Sequence, residues 1–160
     1  MDSKKISYRK AEEKDISVLT NYRIEFLNEI FPNKTELESE KLRNCLNEYF
    51  SKALSDKTLI AWFAEYKNQV IGTSCLVIWK APPSYSGIGK SGKRGYILNM
   101  FTLKEFRKKG VASILLEKLK EEAKGMELEF VHLHATKDGI GVYKNIGFEE
   151  PFFPELTLKI

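Results

Sequence analysis

The sequence predicts an α/β fold: a mixed, mostly antiparallel sheet flanked by helices on both faces. Three observations carry this. Residues 58–66 and 70–79 are rich in β-branched and aromatic residues and flank a tight turn at Lys67 and Asn68, which reads as an antiparallel hairpin. Upstream of them, two stretches repeat apolar residues at helical spacing. Downstream, strand-like residues 96–102 pass through a basic turn into a helical stretch at 113–119, the pattern of a strand followed by a covering helix.

Each element has a local reason. Residues 6–9 begin as a short strand. Asp15 is a plausible helix cap, and Leu19, Tyr22, Phe26, Leu27 and Ile30 then recur on one helical face until Pro32 ends it. The pair Thr35 and Glu38 has capping-box spacing and opens a second helix, whose inward face would hold Leu42, Cys45, Leu46, Tyr49 and Phe50. After the hairpin, residues 81–95 are rich in Pro and Gly and read as one long irregular segment, either a functional loop or a plain connector. The strand ending at Thr102 comes next, then a helix over 110–124 with Ala112, Leu115, Leu116, Leu119 and Ala123 inward and Gly125 as its stop. Residues 129–135 read as a strand, Asp138 as the cap of a short helix to Ile146, and residues 156–160 as a closing strand. The predicted order is β-α-α-β-β-β-α-β-α-β.

Composition bounds the function. A chain of 160 residues can bury one sizeable core, and no composition shift marks a boundary, so a single domain over 1–160 is expected. The hydrophobic share of 42% and charged share of 30% are those of a globular protein. Net charge is +4 with a pI near 8.9, and the two signs interleave; basic and aromatic residues do not alternate on any segment, which disfavours a nucleic-acid partner. No apolar run approaches membrane-spanning length, and residues 1–5 lack an apolar signal core, so no membrane partner and a cytoplasmic location are expected. Cys45 and Cys75 are isolated and read as two reduced, buried thiols.

The turn after the strand at 96–102 says most about chemistry. Unpaired N–H groups at a helix start, with the positive end of its dipole, suit an oxyanion. Gly110 permits unusual dihedrals and close approach of an anion, Ala112 keeps the first helical turn small, and Arg107, Lys108 and Lys109 add positive charge. The turn matches neither the P-loop nor the Rossmann glycine pattern. Taken alone, it reads first as a solvated basic helix start.

Its company decides. Arg107-Lys108-Lys109-Gly110-Val111-Ala112 resembles the Arg/Gln-x-x-Gly-x-Gly/Ala signature of the GCN5-related N-acetyltransferases, the GNAT superfamily. The strand 97–102 resembles that family's central strand, and Tyr143-Lys144-Asn145-Ile146-Gly147-Phe148 its Tyr-x-x-x-Gly-Phe motif. Ala112 and Leu103 stand where glycine and proline are more frequent, and no Asn lies seven residues before Tyr143.

The resemblance implies acetyl-CoA as cosubstrate, transfer to a primary amine by direct attack, and no metal. It implies that Asn99, Met100 and Phe101 offer backbone groups to the pantetheine arm and acetyl carbonyl. The pyrophosphate would then lie on the backbone of Lys108, Lys109, Gly110, Val111, Ala112 and Ser113, with Arg107 beside it. Tyr143 would be the general acid for the departing thiolate, since a phenol with an ordinary pKa of about 10 is a competent donor.

His132 and His134 share a strand face, but no third ligand lies nearby for a metal. His134 matches a position where several family members carry a carboxylate base, and an imidazole titrating near about 6.5 could serve; a packed histidine, with water relaying the proton, is the other reading. The acceptor would be an amine-bearing small molecule or peptide, and a homodimer stays open. The alternative activity is a catalytically inactive acyl-CoA-binding or regulatory domain of the same fold.

Overall fold

The computed structural model describes residues 5–83, 85, 92–137, 139–151 and 155–160. In chain order these form β1 (Ile6–Lys10), α1 (Ile16–Ile30), α2 (Glu36–Ser55), β2 (Leu59–Tyr66), β3 (Gln69–Lys80), β4 (Lys93–Thr102), α3 (Val111–Gly125), β5 (Phe130–Leu133) and α4 (Ile140–Ile146). The strands lie side by side in the order β1-β2-β3-β4-β5. The first three pairings are antiparallel and β4–β5 is parallel, so α3 is the crossover that a parallel pair requires.

Alternation along the strands feeds two cores. Leu59, Ala61, Phe63 and Cys75 pack under Leu19 of α1 and Phe50 and Ala53 of α2. On the opposite face Ala64, Ile71, Leu76 and Ile97 meet Val111, Leu115, Leu116 and Leu119 of α3, with Tyr143 and Ile146 of α4 at the margin. Leu115, Leu116 and Leu119 are fully buried, so truncating any one to alanine would cost about 2–5 kcal/mol. The turn between β2 and β3 has positive φ at both Lys67 (51°) and Asn68 (63°), the geometry that matches the twist of a two-residue hairpin.

The pairing of β3 with β4 carries one irregularity. Thr73 pairs with Phe101 and Cys75 with Leu98, so Asn99 and Met100 together oppose Ser74 in a β-bulge. Asn99 takes φ 55° there, a left-handed value costly for most residues, and its carbonyl accepts a hydrogen bond from Thr73 Oγ1 at 2.9 Å. Beside the bulge the parallel β4–β5 pairing ends at Ile97–Leu133.

Several expectations are corrected. Residues 93–95 belong to β4 rather than to an irregular loop: a Cβ on Gly95 would come within 2.7 Å of Leu76 and 2.9 Å of Leu128, so this glycine serves close packing, not a turn. Residues 84 and 86–91 of that segment lie outside the described residues, as does the expected cap Asp138. The closing strand is not formed over 156–160: Leu156 (91% exposed) and Leu158 (81%) alternate like a strand but are not paired with any strand among the described residues. Asp15 does not cap α1; its carboxylate takes the Glu12 N–H and the Arg9 guanidinium. Cys45 is exposed on α2, while Cys75 is buried. Gly125 is the last residue of α3 rather than its stop, and Met126 is the C-cap. The Thr35–Glu38 capping box is present in both directions.

Candidate active site

The end of β4, the turn after it and α4 are far apart in sequence, yet they border one cleft of about 770 Å³. Met100 and Phe101 lie on one wall; Arg107, Lys108, Gly110, Val111, Ala112 and Ser113 form its floor at the start of α3; Val142 and Tyr143 close it from α4.

Gly110 sits at φ 80° as the N-cap of α3, with no side chain capping the helix. The first intrahelical bond runs from Ile114 N to Gly110 O at 3.1 Å, which leaves the preceding N–H groups, on residues that line the cleft, without helical partners. A Cβ on Gly110 would meet nothing within 4 Å, so the space above the turn is open. Lys108, at φ 59°, turns the chain just before it. These are the features of an oxyanion site built from main chain and dipole.

Tyr143 is half-buried, and burial raises its phenol above the usual value. Its ring packs edge-on against Phe148 at 6.0 Å, and among the described residues its hydroxyl has no hydrogen-bond partner. Thr136, seven residues before it, lines the same cleft and takes the place of a cap for α4: its carbonyl accepts from Gly139 N at 3.0 Å and Ile140 N at 3.1 Å. A Cβ on Gly139 would lie 3.2 Å from both Thr136 Oγ1 and the Tyr143 ring, so a bare backbone at 139 lets the phenol keep its position.

Other expected residues stand differently. Asn99 is buried (1% exposed) behind the wall; its Nδ2 lies 3.8 Å from Cys75 Sγ and its Oδ1 has no partner among the described residues. Arg107 borders the cleft, but its guanidinium is engaged. Nε donates to Thr102 O at 2.8 Å and one terminal nitrogen contacts both Glu29 oxygens at 2.8 Å. Lys109 is not part of the wall; its ammonium donates to Glu105 O and lies over the Phe106 ring. His134 also stands outside the wall, just beyond β5, where Nδ1 bonds the Tyr96 hydroxyl and Nε2 lies 3.3 Å from Glu155. His132 faces the Trp79 and Phe130 rings. Among the described residues no group of three or more His, Cys, Asp or Glu is placed to hold a metal ion.

The cleft also takes residues the sequence did not single out as functional. Phe26, Glu29 and Ile30 come from the C-terminal half of α1. Phe26 and Ile30 belong to the helical stripe read as core. Glu29 had no signal, since its relation to Arg107 exists only in three dimensions.

Residues 20–148 match the model of a family described as the acetyltransferase (GNAT) family. Among solved structures, a Clostridium acetobutylicum protein described as a predicted acetyltransferase, crystallised with acetyl-CoA, shares 34% identity over 95% of this chain and 96% of that one, with a TM-score of 0.81. A GCN5-related N-acetyltransferase from Ralstonia eutropha is 21% identical over 96% of this chain and 98% of that one, with a TM-score of 0.82, a likeness of fold alone. An aminoglycoside acetyltransferase from an uncultured soil sample is similar in fold too, at 15% identity over 99% and 100% of the two chains and a TM-score of 0.71. No curated protein matches the chain. The chain therefore belongs to the GNAT family and is an acetyltransferase. No described helix is long and apolar enough to cross a membrane.

Proposed function

We propose that residues 1–160 act as one domain that moves the acetyl group of acetyl-CoA to a primary amine by direct attack, with no covalent enzyme intermediate. The observation that carries this is the shared cleft: the open start of α3, the bulged end of β4 and Tyr143, whose hydroxyl has no hydrogen-bond partner among the described residues, meet there.

The residues fit the cosubstrate. Backbone N–H groups of residues 108–113 would hold the pyrophosphate, helped by the helix dipole and by the absence of a side chain at Gly110. Where the bulge interrupts pairing, main-chain groups of Met100 and Phe101 are candidates to align the pantetheine arm and polarise the acetyl carbonyl. The amine would attack that carbonyl, and Tyr143 would give its proton to the departing thiolate. A phenol held above its usual pKa stays protonated at neutral pH, so the donor is always loaded. The amine must arrive unprotonated. His134 is the candidate base, in a chain with Tyr96 and Glu155 just past the last β4–β5 pair, Ile97–Leu133.

Free-thiol release from acetyl-CoA across a panel of amines tests the reading. Amine-dependent release supports it. Tight acetyl-CoA binding without release for any amine would favour a binding domain instead.

A further inference from the structure

The inward stripe of α1 is interrupted by a charge. Arg23 lies one turn after Leu19, which is fully buried, and one turn before Phe26, which lines the cleft. Its guanidinium stacks on the Phe26 ring at 5.5 Å, and the side chain is half-buried against the α1/α2 face of the sheet. Arginines in such places are normally paired with a carboxylate. This one is not: among the described residues it has no ion pair and no hydrogen bond. The ionisable groups near enough to act on it are Cys75, Tyr96 and Tyr49. All three are neutral at physiological pH, since burial pushes the Cys75 thiol up to about 12 and raises both phenols. Burial in turn presses the arginine pKa downward, the signature of a charge held without compensation.

The surroundings are open rather than sealed. Tyr49 is 43% exposed on α2, and Tyr96 points from β4 on the same face toward His134, where β4–β5 pairing ends. A half-buried fork, flanked by two phenols and standing next to the cleft wall, is a receptor for a planar anion.

We propose that Arg23 binds a carboxylate of the acceptor, so that the amine acetylated is that of an amino-acid-like molecule. This rests on the acetyl-transfer reading and specifies the occupant of its acceptor side. A single guanidinium among neutral neighbours matches one negative charge. A phosphate dianion would call for further cations around it.

The experiment compares matched acceptors, each amino acid against its own carboxamide, in the wild type, Arg23→Gln and Arg23→Lys. The wild type should favour the carboxylate member in kcat/KM by about tenfold or more, mostly through KM. In Arg23→Gln the ratio should fall toward one, and Arg23→Lys should restore part of it. The melting-temperature shift produced by acetyl-CoA in each variant reports folding. A second readout, the shift produced by the carboxylate compound alone in the presence of CoA, needs no turnover. Arg23-dependent binding without acetylation would keep the subsite and overturn the transfer reading. A wild-type ratio near one, a ratio unchanged in Arg23→Gln, or a preference for phosphorylated amines would overturn the carboxylate assignment.

Discussion

Glu29, near the end of α1, holds the guanidinium of Arg107 with both carboxylate oxygens at 2.8 Å, and so fastens the first helix to the turn that opens α3. Arg107 is 40% exposed and Glu29 33%, so the pair contributes at most about 1 kcal/mol in water. It still sets the charge at the mouth of the cleft, because every carboxylate there opposes an incoming polyphosphate.

Glu29→Gln should therefore tighten acetyl-CoA binding by up to about fivefold, by releasing Arg107 and removing a negative charge. Calorimetric titration at low and at high salt measures it, and the gain should shrink as salt rises. Weaker binding in the variant would mean that the pair braces the turn instead.

Gly110→Glu should abolish the rise in melting temperature that acetyl-CoA produces, since bulk and negative charge would enter the pyrophosphate space. The apo protein should stay folded. No atom lies within 4 Å of the new Cβ, and the left-handed φ costs about 1–2 kcal/mol. An undiminished shift in the folded variant would remove the turn from the binding site.

Proton handling separates Tyr143 from His134. Tyr143→Phe keeps the ring against Phe148 but removes the donor, and should lower kcat by roughly ten- to a thousandfold with little change in acetyl-CoA affinity. Because burial raises the phenol pKa, the wild-type rate should not fall on the alkaline side below about pH 10 through loss of this proton. His134→Ala should erase or move the acid limb of kcat/KM only if the imidazole takes the amine's proton. An unaltered profile would assign that residue to packing beside Tyr96.

Asp15→Asn tests the anchor at the start of α1. Asp15 is almost buried (side chain 7% exposed) and receives Arg9 at 2.7 Å, which holds its pKa below the usual carboxylate range. The substitution should cost about 1–2 kcal/mol in urea unfolding, since it weakens a charge-assisted bidentate pair while Glu65 still holds Arg9 Nε at 2.8 Å. With the folded-state pKa lowered, the contribution is complete above about pH 4 and is lost as pH falls through the folded value. The gap between variant and wild type should close in acid.

Much of this was legible from residue order. The capping box at Thr35, the turn at Lys67 and Asn68, and the helical stripe of α3 are local codes, each spanning a few residues, and they read correctly. Motif spacing marked the turn at 107–113 and Tyr143, and the structure brings these, except Lys109, to one cleft. Several of the failures depended on partners distant in sequence. Gly95 looks like loop punctuation until Leu76 and Leu128 press on it. Leu156 and Leu158 have a strand's alternation, but alternation does not supply a neighbour to pair with. Arg23 sits at the spacing of a core residue, and that no carboxylate among the described residues pairs with it is visible only once α1, α2 and the sheet are assembled.

The bulge at Asn99 also works as a parity switch in the chain. Before it, even-numbered Leu98 faces α1 and α2 while odd-numbered Ile97 faces α3; after it, odd-numbered Phe101 meets Tyr22 and Phe26 while even-numbered Met100 faces α3. Losing one residue between 98 and 101 would restore the regular register and leave Phe101 and the turn at Gly110 on their present faces, so only the bulge would go. Straightening the strand at its present length is what would send the Phe101 ring to the wrong core. Shortening there is thereby tolerable to the packing, and costly only to whatever the interruption of pairing serves.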